Sequence, residues 1–317
     1  IFYNIWDMKI IAGVDEVGRG PLAGPVYAAA VILPKNHTLI GLEDSKKISK
    51  KKRESLFLDI KKQAISIGVG YTDVRVIDKV NIREASFMAM EMALKNLSKK
   101  PDYALIDGFP LKSQNIPNEG VIKGDTIHDN IKAASIIAKV IRDNLMSKYN
   151  LIFPEYNFLK NNGYGTKEHI KALEKYKATP IHRKTFRKVS ENIPTFNWLI
   201  EKNKLKWMGN KFAGLFILNG DKNTNKKIIK ADMDEGFFIV VENKEYVFVF
   251  VYTIYKNMGF LFNPKKAISL KDIKDSRKIM IERIINEQNN FRFDIINVTL
   301  EKGNPIIKQI KNVNIIL

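Results

Sequence analysis

At 317 residues, 45% of them hydrophobic and 27% charged, the chain is long enough for two domains and apolar enough to bury a substantial core, which argues against a disordered protein. Lysine and arginine number 53 against 34 aspartate and glutamate, a formal charge of +19, so the expected partners are polyanions: nucleic acid first, an anionic membrane second. Cysteine is absent, which excludes disulfides, thiolate zinc sites and cysteine nucleophiles and leaves any metal to oxygen or imidazole ligands.

Residues 9–14 and 26–33 are apolar, β-rich runs joined by GRGPLAGP, a hairpin or a pair of neighbouring strands. Ser49 then caps an expected amphipathic helix over residues 50–63, with Leu56 and Ile60 four apart. A strand is expected over 65–71. Asn81 caps a second helix whose face is read as Ala85, Met88, Met92 and Leu97, ending before Pro101. Residues 103–107 form a short strand ending in Asp107-Gly108, residues 120–123 resemble another, and 130–149 carry a helical pattern. Strands interleaved with helices indicate an α/β layer architecture.

Beyond the basic segment bracketed by Pro180 and Pro194 the alternation restarts, and a domain boundary is placed near Ser190. Residues 198–207 are read as one helix, 237–241 and 246–255 as a hairpin around Glu242-Asn243-Lys244, 271–286 as a helix and 293–300 as a strand. Residues 246–255 are among the longest apolar runs, far short of the ~20 needed to cross a bilayer. No signal-peptide pattern opens the sequence, so a cytoplasmic location without a membrane partner is expected.

Asp15 and Glu16 end the first apolar run, directly before Gly18-Arg19-Gly20. Charged residues in such a place are commonly just solvated, so the pair needs company. Asp107 also ends a strand and precedes glycine, and Asp125, in Val-Ile-Lys-Gly-Asp, repeats the arrangement ahead of a helix. Strand-end placement would gather these groups at one sheet edge, where α/β proteins bind ligands. Clustered carboxylates repel unless cations neutralise them, and hard oxygen ligands select Mg2+ or Mn2+. Two such ions can activate water and stabilise the leaving oxygen in phosphodiester cleavage.

GVDEVGRGPLAGPVYAAAVILP closely resembles the amino-terminal signature of ribonuclease HII, and LEDSKKIS, ALIDG, KGD, AASIIAKVIRD, NNGYGTKEH and TPIHRKTF follow in that family's order over about residues 10–186. The resemblance implies a ribonuclease H-like mixed sheet flanked by helices in a catalytic domain spanning 1–190. It also implies a catalytic, metal-binding tetrad of Asp15, Glu16, Asp107 and Asp125. Asp143 is the alternative fourth ligand; it lies well inside a predicted helix, where a structural role suits it better. The implied activity is endonucleolytic hydrolysis of RNA in RNA–DNA hybrids and of single ribonucleotides in duplex DNA, a reaction of ribonucleotide excision in replication and repair. It would leave 3′-hydroxyl and 5′-phosphate ends.

Gly18-Arg19-Gly20 lacks side chains at two positions, so its backbone can approach a nucleotide, and the resemblance makes it a sensor of the ribose 2′-hydroxyl. Tyr164, between two glycines, would by resemblance stack on the sugar of the nucleotide after the cut. Ser45, Lys46 and Lys47 suit phosphate contact, as does Arg183 from TPIHRKTF. Lys123, His182 and Lys184 are further candidates. His128, Asp129 and Lys132 depart from the serines and small residues usual in the family and would alter substrate or metal surroundings.

The stretch 191–317 resembles, more weakly, the YraN-like family with a restriction-endonuclease-like core, through ENKEYVFVFVYT, KDSRKIMIERIINEQ and RFDIINVTL. That family carries GEID followed by VEVK on adjacent strands. Here Gly236, Phe238, Phe250 and Tyr252 stand at those places, so a second, smaller α/β domain without catalytic groups is expected. Its partners are open.

Overall fold

The computed structural model describes residues 10–43, 45, 47–112, 115–220, 226–255, 267–269, 273–300 and 305–316. They divide into two compact units. One carries the chain up to Ser147 together with Tyr156–Ile193; the other joins Lys148–Glu155 to Pro194–Leu317.

The first unit is built on a five-stranded sheet: β1 (Ile11–Val17), β2 (Val26–Ile32), β3 (Ser66–Thr72), β4 (Tyr103–Asp107) and β5 (Asn118–Val121), in the order β3-β2-β1-β4-β5. The first three run antiparallel, while β4 pairs parallel with β1 and β5 parallel with β4. Its helices are α1 (Lys50–Gln63), α2 (Val74–Val80), α3 (Ile82–Lys95), α4 (Gly124–Ile127), α5 (Asp129–Ile152), α6 (Phe158–Asn161), α7 (Lys167–Tyr176) and α8 (Arg187–Ser190).

Strand alternation sorts the core into two layers. Ala12, Val14, Ala28, Ala30, Ala104 and Ile106 face α3, and Ala29 and Val31 face the layer of α1 and α5. Asn130 ties α5 to the sheet: its amide donates to Ile11 O at 3.2 Å and its carbonyl accepts from Leu33 N at 2.9 Å.

Helix α1 starts where Ser49 accepts from Lys52 N and buries Leu56 and Ile60. The face expected for α3 is corrected. Met88 and Met92 point outward, and Ala85, Ser86, Ala89, Met90, Ala93 and Leu94 are buried. The reason is close approach: Gly68 and Gly70 of β3 lie so near the Ala93 and Ala89 carbonyls that only small residues fit at the contact. Sequence reading also missed α2, which Asp73 caps. It set β5 late as well, since Lys123 is left-handed with φ 57° and opens α4 instead.

The second unit has a five-stranded sheet of β6 (Lys226–Asp232), β7 (Phe237–Glu242), β8 (Glu245–Tyr255), β10 (Phe291–Leu300) and β11 (Ile306–Ile310), ordered β11-β10-β8-β7-β6. A short parallel pair, β9 (Ile268–Ser269) with β12 (Ile315–Ile316), forms a separate sheet whose Ile268 joins the same core. Only β8 and β10 are parallel in the large sheet. The single helix expected over 198–207 is two, α9 (Phe196–Glu201) and α10 (Leu205–Leu218), because Asn203 turns left-handed with φ 51° between them. Helix α10 packs on β8, with Gly209 against Thr253. Ile281 of α11 (Asp275–Glu287) joins Phe237, Phe248, Phe250 and Phe293, which occupy the opposite face. Lys211 of α10 is buried and donates to Ile152 O and Glu155 Oε1, both at 2.6 Å. Among the described residues no helix is long and apolar enough to cross a membrane.

Candidate active site

Parallel pairing of β4 beside β1 sets Ile106 opposite Val14, which brings the carboxylate that follows each of them to the same sheet end. Asp15 and Asp107 both fall on the odd-numbered face, beneath α5. Asp125 arrives from α4, its amide 3.4 Å from Asp107 Oδ1. Ligand oxygens of Asp15, Asp107 and Asp125 all lie within 4.8 Å of one another, although up to 110 positions separate them in the chain (125 − 15). Asp15 is 4% exposed and Asp125 8%.

Glu16 leaves β1 on the other face, as strand parity requires, and stands outside that trio with Oε1 3.5 Å from Arg19 Nη1. It remains electrostatically in range of Asp107. Burial first, then the Glu16 and Asp107 charges, push Asp15 well above the ordinary carboxylate range, while a Ser135 hydrogen bond draws it partly back. Glu16 is raised too, mainly by burial, with Arg19 opposing and Asp107 adding to the shift. A set of all-oxygen donors at this spacing, with like charges frustrated by burial, fits a hard divalent cation and would be relieved by one. Asp143 is engaged elsewhere, pairing with Lys139 at 2.8 Å along α5.

The expected substrate residues are placed unevenly. Gly18, Arg19 and Gly20 follow β1 directly, and the Arg19 side chain is 52% exposed. Tyr164 is 41% exposed and lies over Gly20, where a methyl group would meet its ring at 3.5 Å. Lys47 is exposed; Lys46 lies outside the described residues. Ser45 is buried, its hydroxyl 2.8 Å from that of Ser135.

Arg183 turns its guanidinium to backbone carbonyls. It is fully buried and donates to Gly18 O at 2.5 Å, Arg19 O at 2.8 Å and Gly24 O at 2.9 Å. It braces the glycine loop from behind. Arg142 does the same from α5, donating to Pro25 O, Ala23 O and Asn162 O at 3.0, 3.1 and 2.9 Å. His182 and Lys184, the further candidates, are respectively buried and exposed, with Lys184 N donating to Asp78. In the departing segment Asp129 pairs with Lys132 at 2.9 Å and faces His37 at 3.5 Å.

Sequence reading missed Arg142 and Ser135. The signal for Arg142 was its place in the i, i+4 row Ala134, Ala138, Arg142, Met146, a charge on an otherwise wholly buried stripe. Ser135 links Ser45 to Asp15.

In the second unit, Phe238 and Phe250 are buried and Gly236 turns with φ 67°. No carboxylate stands at those positions.

The mixed sheet, its flanking helices and the acidic trio at one sheet end define an α/β protein of the ribonuclease H-like class. The ribonuclease H2 from Pyrococcus horikoshii OT3 superposes with a TM-score of 0.52 at 28% identity, covering 58% of this chain and 96% of that one. A family model for ribonuclease HII matches residues 12–189, and the chain belongs to that family. It is 56% identical over 185 residues to a ribonuclease HII of Enterococcus faecalis, covering 58% of this chain and 72% of that protein. With a ribonuclease HII of Desulfitobacterium hafniense it shares 50% over 183 residues, covering 58% and 70%. It is a type 2 ribonuclease H, an endonuclease that cleaves RNA in RNA–DNA hybrids and ribonucleotides in DNA.

Proposed function

We propose that Asp15, Glu16, Asp107 and Asp125 are the catalytic, metal-holding residues of this endonuclease, with Mg2+ or Mn2+ as the ions. The observation that carries the reading is the convergence of Asp15, Asp107 and Asp125 oxygens within 4.8 Å from three separate elements. Bound in pairs, such ions supply an activated water and charge stabilisation at the leaving oxygen. The chain's own part is placement. Ser135 orients Asp15, the Asp107 carboxylate lies near the Asp125 amide, and Glu16 pairs with Arg19 of the glycine loop.

Substrate reading falls to the backbone of Gly18, Arg19 and Gly20, to Tyr164, and to Lys47 for phosphate. Arg183 and Arg142 hold the loop in shape. The substrates are RNA–DNA hybrid and duplex DNA with single ribonucleotides, cut to 3′-hydroxyl and 5′-phosphate ends. The second unit is a degenerate YraN-like accessory domain, without a metal site at Gly236, Phe238, Phe250 and Tyr252.

The test incubates the full chain, with Mg2+ or Mn2+, on a duplex containing one ribonucleotide, beside Asp107→Asn. Loss of one carboxylate should lower cleavage by about 10³-fold or more, a deficit of about 4 kcal/mol in transition-state stabilisation. Cleavage that persists in the variant sinks the tetrad assignment.

A further inference from the structure

Two histidines outside this chemistry lie back to back beneath the substrate loops. His169, in the first turn of α7, and His182 are both buried, with their Nε2 atoms 3.0 Å apart. The remaining ring nitrogens have partners of fixed polarity. His169 Nδ1 is 2.9 Å from the Tyr164 carbonyl, which can only accept, so Nδ1 carries the proton. The Thr179 amide can only donate, and it reaches His182 Nδ1 at 3.0 Å, so that nitrogen offers its lone pair. The His182 proton then sits on Nε2 and is donated to His169 Nε2. Any other neutral arrangement opposes two N–H groups or two lone pairs, and burial disfavours a charged ring. The Tyr156 and Phe158 rings enclose the pair, and the Thr179 hydroxyl is 2.8 Å from His182 Nδ1.

Each end of this chain of hydrogen bonds is fastened to a substrate loop. At one end is Tyr164, whose ring lies over Gly20. At the other, His182 bridges Ala23, Ile181 O accepts from Gly24 N at 2.8 Å, and the next residue is Arg183, which holds the carbonyls of Gly18 and Arg19.

The geometry points to His169 and His182 as positioning residues: the pair pins the Tyr164 loop against the Gly18-Arg19-Gly20 loop, and so sets the selectivity for a ribonucleotide followed by a deoxyribonucleotide. The selectivity half rests on the reading of Tyr164 as the group that meets that sugar.

The experiment uses the full chain with Mn2+ on two substrates, a duplex with one ribonucleotide followed by DNA and a duplex with a continuous RNA strand. His169→Phe keeps ring bulk but offers no hydrogen bond. It should lose about tenfold in the ratio of kcat/KM between the substrates, the worth of one lost hydrogen-bonded anchor, carried mainly by KM. His169→Asn, which restores a donor toward Tyr164, should recover most of it. Hydrogen exchange across residues 161–170 should quicken in His169→Phe, and histidine 15N spectra at pH 7 should show Nδ1–H for His169 and Nε2–H for His182. Should His169→Phe not fold, His169→Asn, Thr179→Val and the spectra decide the matter. An unchanged ratio with unchanged exchange, or the reverse tautomers, overturns the proposal. If exchange quickens while neither His169→Phe nor Tyr164→Ala alters the ratio, the pin stands and the sugar reading of Tyr164 fails.

Discussion

Gly18 carries two constraints at once. Its φ is +96°, and a Cβ there would fall 2.3 Å from Arg142 Nε, inside the guanidinium that braces the loop. Gly18→Ala therefore combines left-handed strain with a clash against a side chain held by three backbone carbonyls. The expected cost is about 2–4 kcal/mol, seen as a lower urea midpoint; a midpoint equal to that of the parent chain would show that the loop is free to move. The same residues show what can be read from sequence. The convergence of Asp15, Asp107 and Asp125 was legible because each ends an apolar run or follows a turn in the sequence. The carbonyls that Arg183 serves were not legible, since a motif arginine in a basic chain suggests phosphate, whereas they come from residues over 150 positions away (183 − 18 = 165).

At the level of elements, caps and periodicity located α1 and α3, but the buried side of α3 depended on the glycines of β3, a partner unknown before pairing is known. Helix α7 holds one member of the histidine pair, and that has a consequence for pH. Burial lowers His182 well below the usual histidine value, with His169 adding to it, and burial lowers His169 too. Below about pH 6.5 an unfolded histidine takes up a proton that the folded one refuses, so the unfolded state binds more protons and stability falls as pH falls. The loss should run at about 1.4 kcal/mol per pH unit for each histidine, from pH 6.5 down to the lowered folded values, and should be absent above pH 7. Urea unfolding between pH 5 and 8 checks it. A profile for His182→Gln as steep as that of the parent would remove the pair as the cause.

For the whole molecule, a charge of +19 predicts that hybrid binding weakens steeply with salt, by about 0.9 in log–log slope for each phosphate neutralised. The second unit should add binding without cutting. Full-length Asp107→Asn should leave duplex DNA and hybrid alike intact, and residual cleavage that disappears only on altering the second unit would reveal a metal site elsewhere in it. Its architecture was only half legible. The β7–β8 hairpin and α11 were marked by their apolar patterns, while β6, rich in lysine, and β11 carry too little contrast to show.

Because Lys211 grips Ile152 and Glu155, the second unit is not a cassette that could be snipped off at one peptide bond. A clip between Ile193 and Pro194 would leave behind an orphaned stub, Lys148–Glu155, stripped of the lysine that caps it.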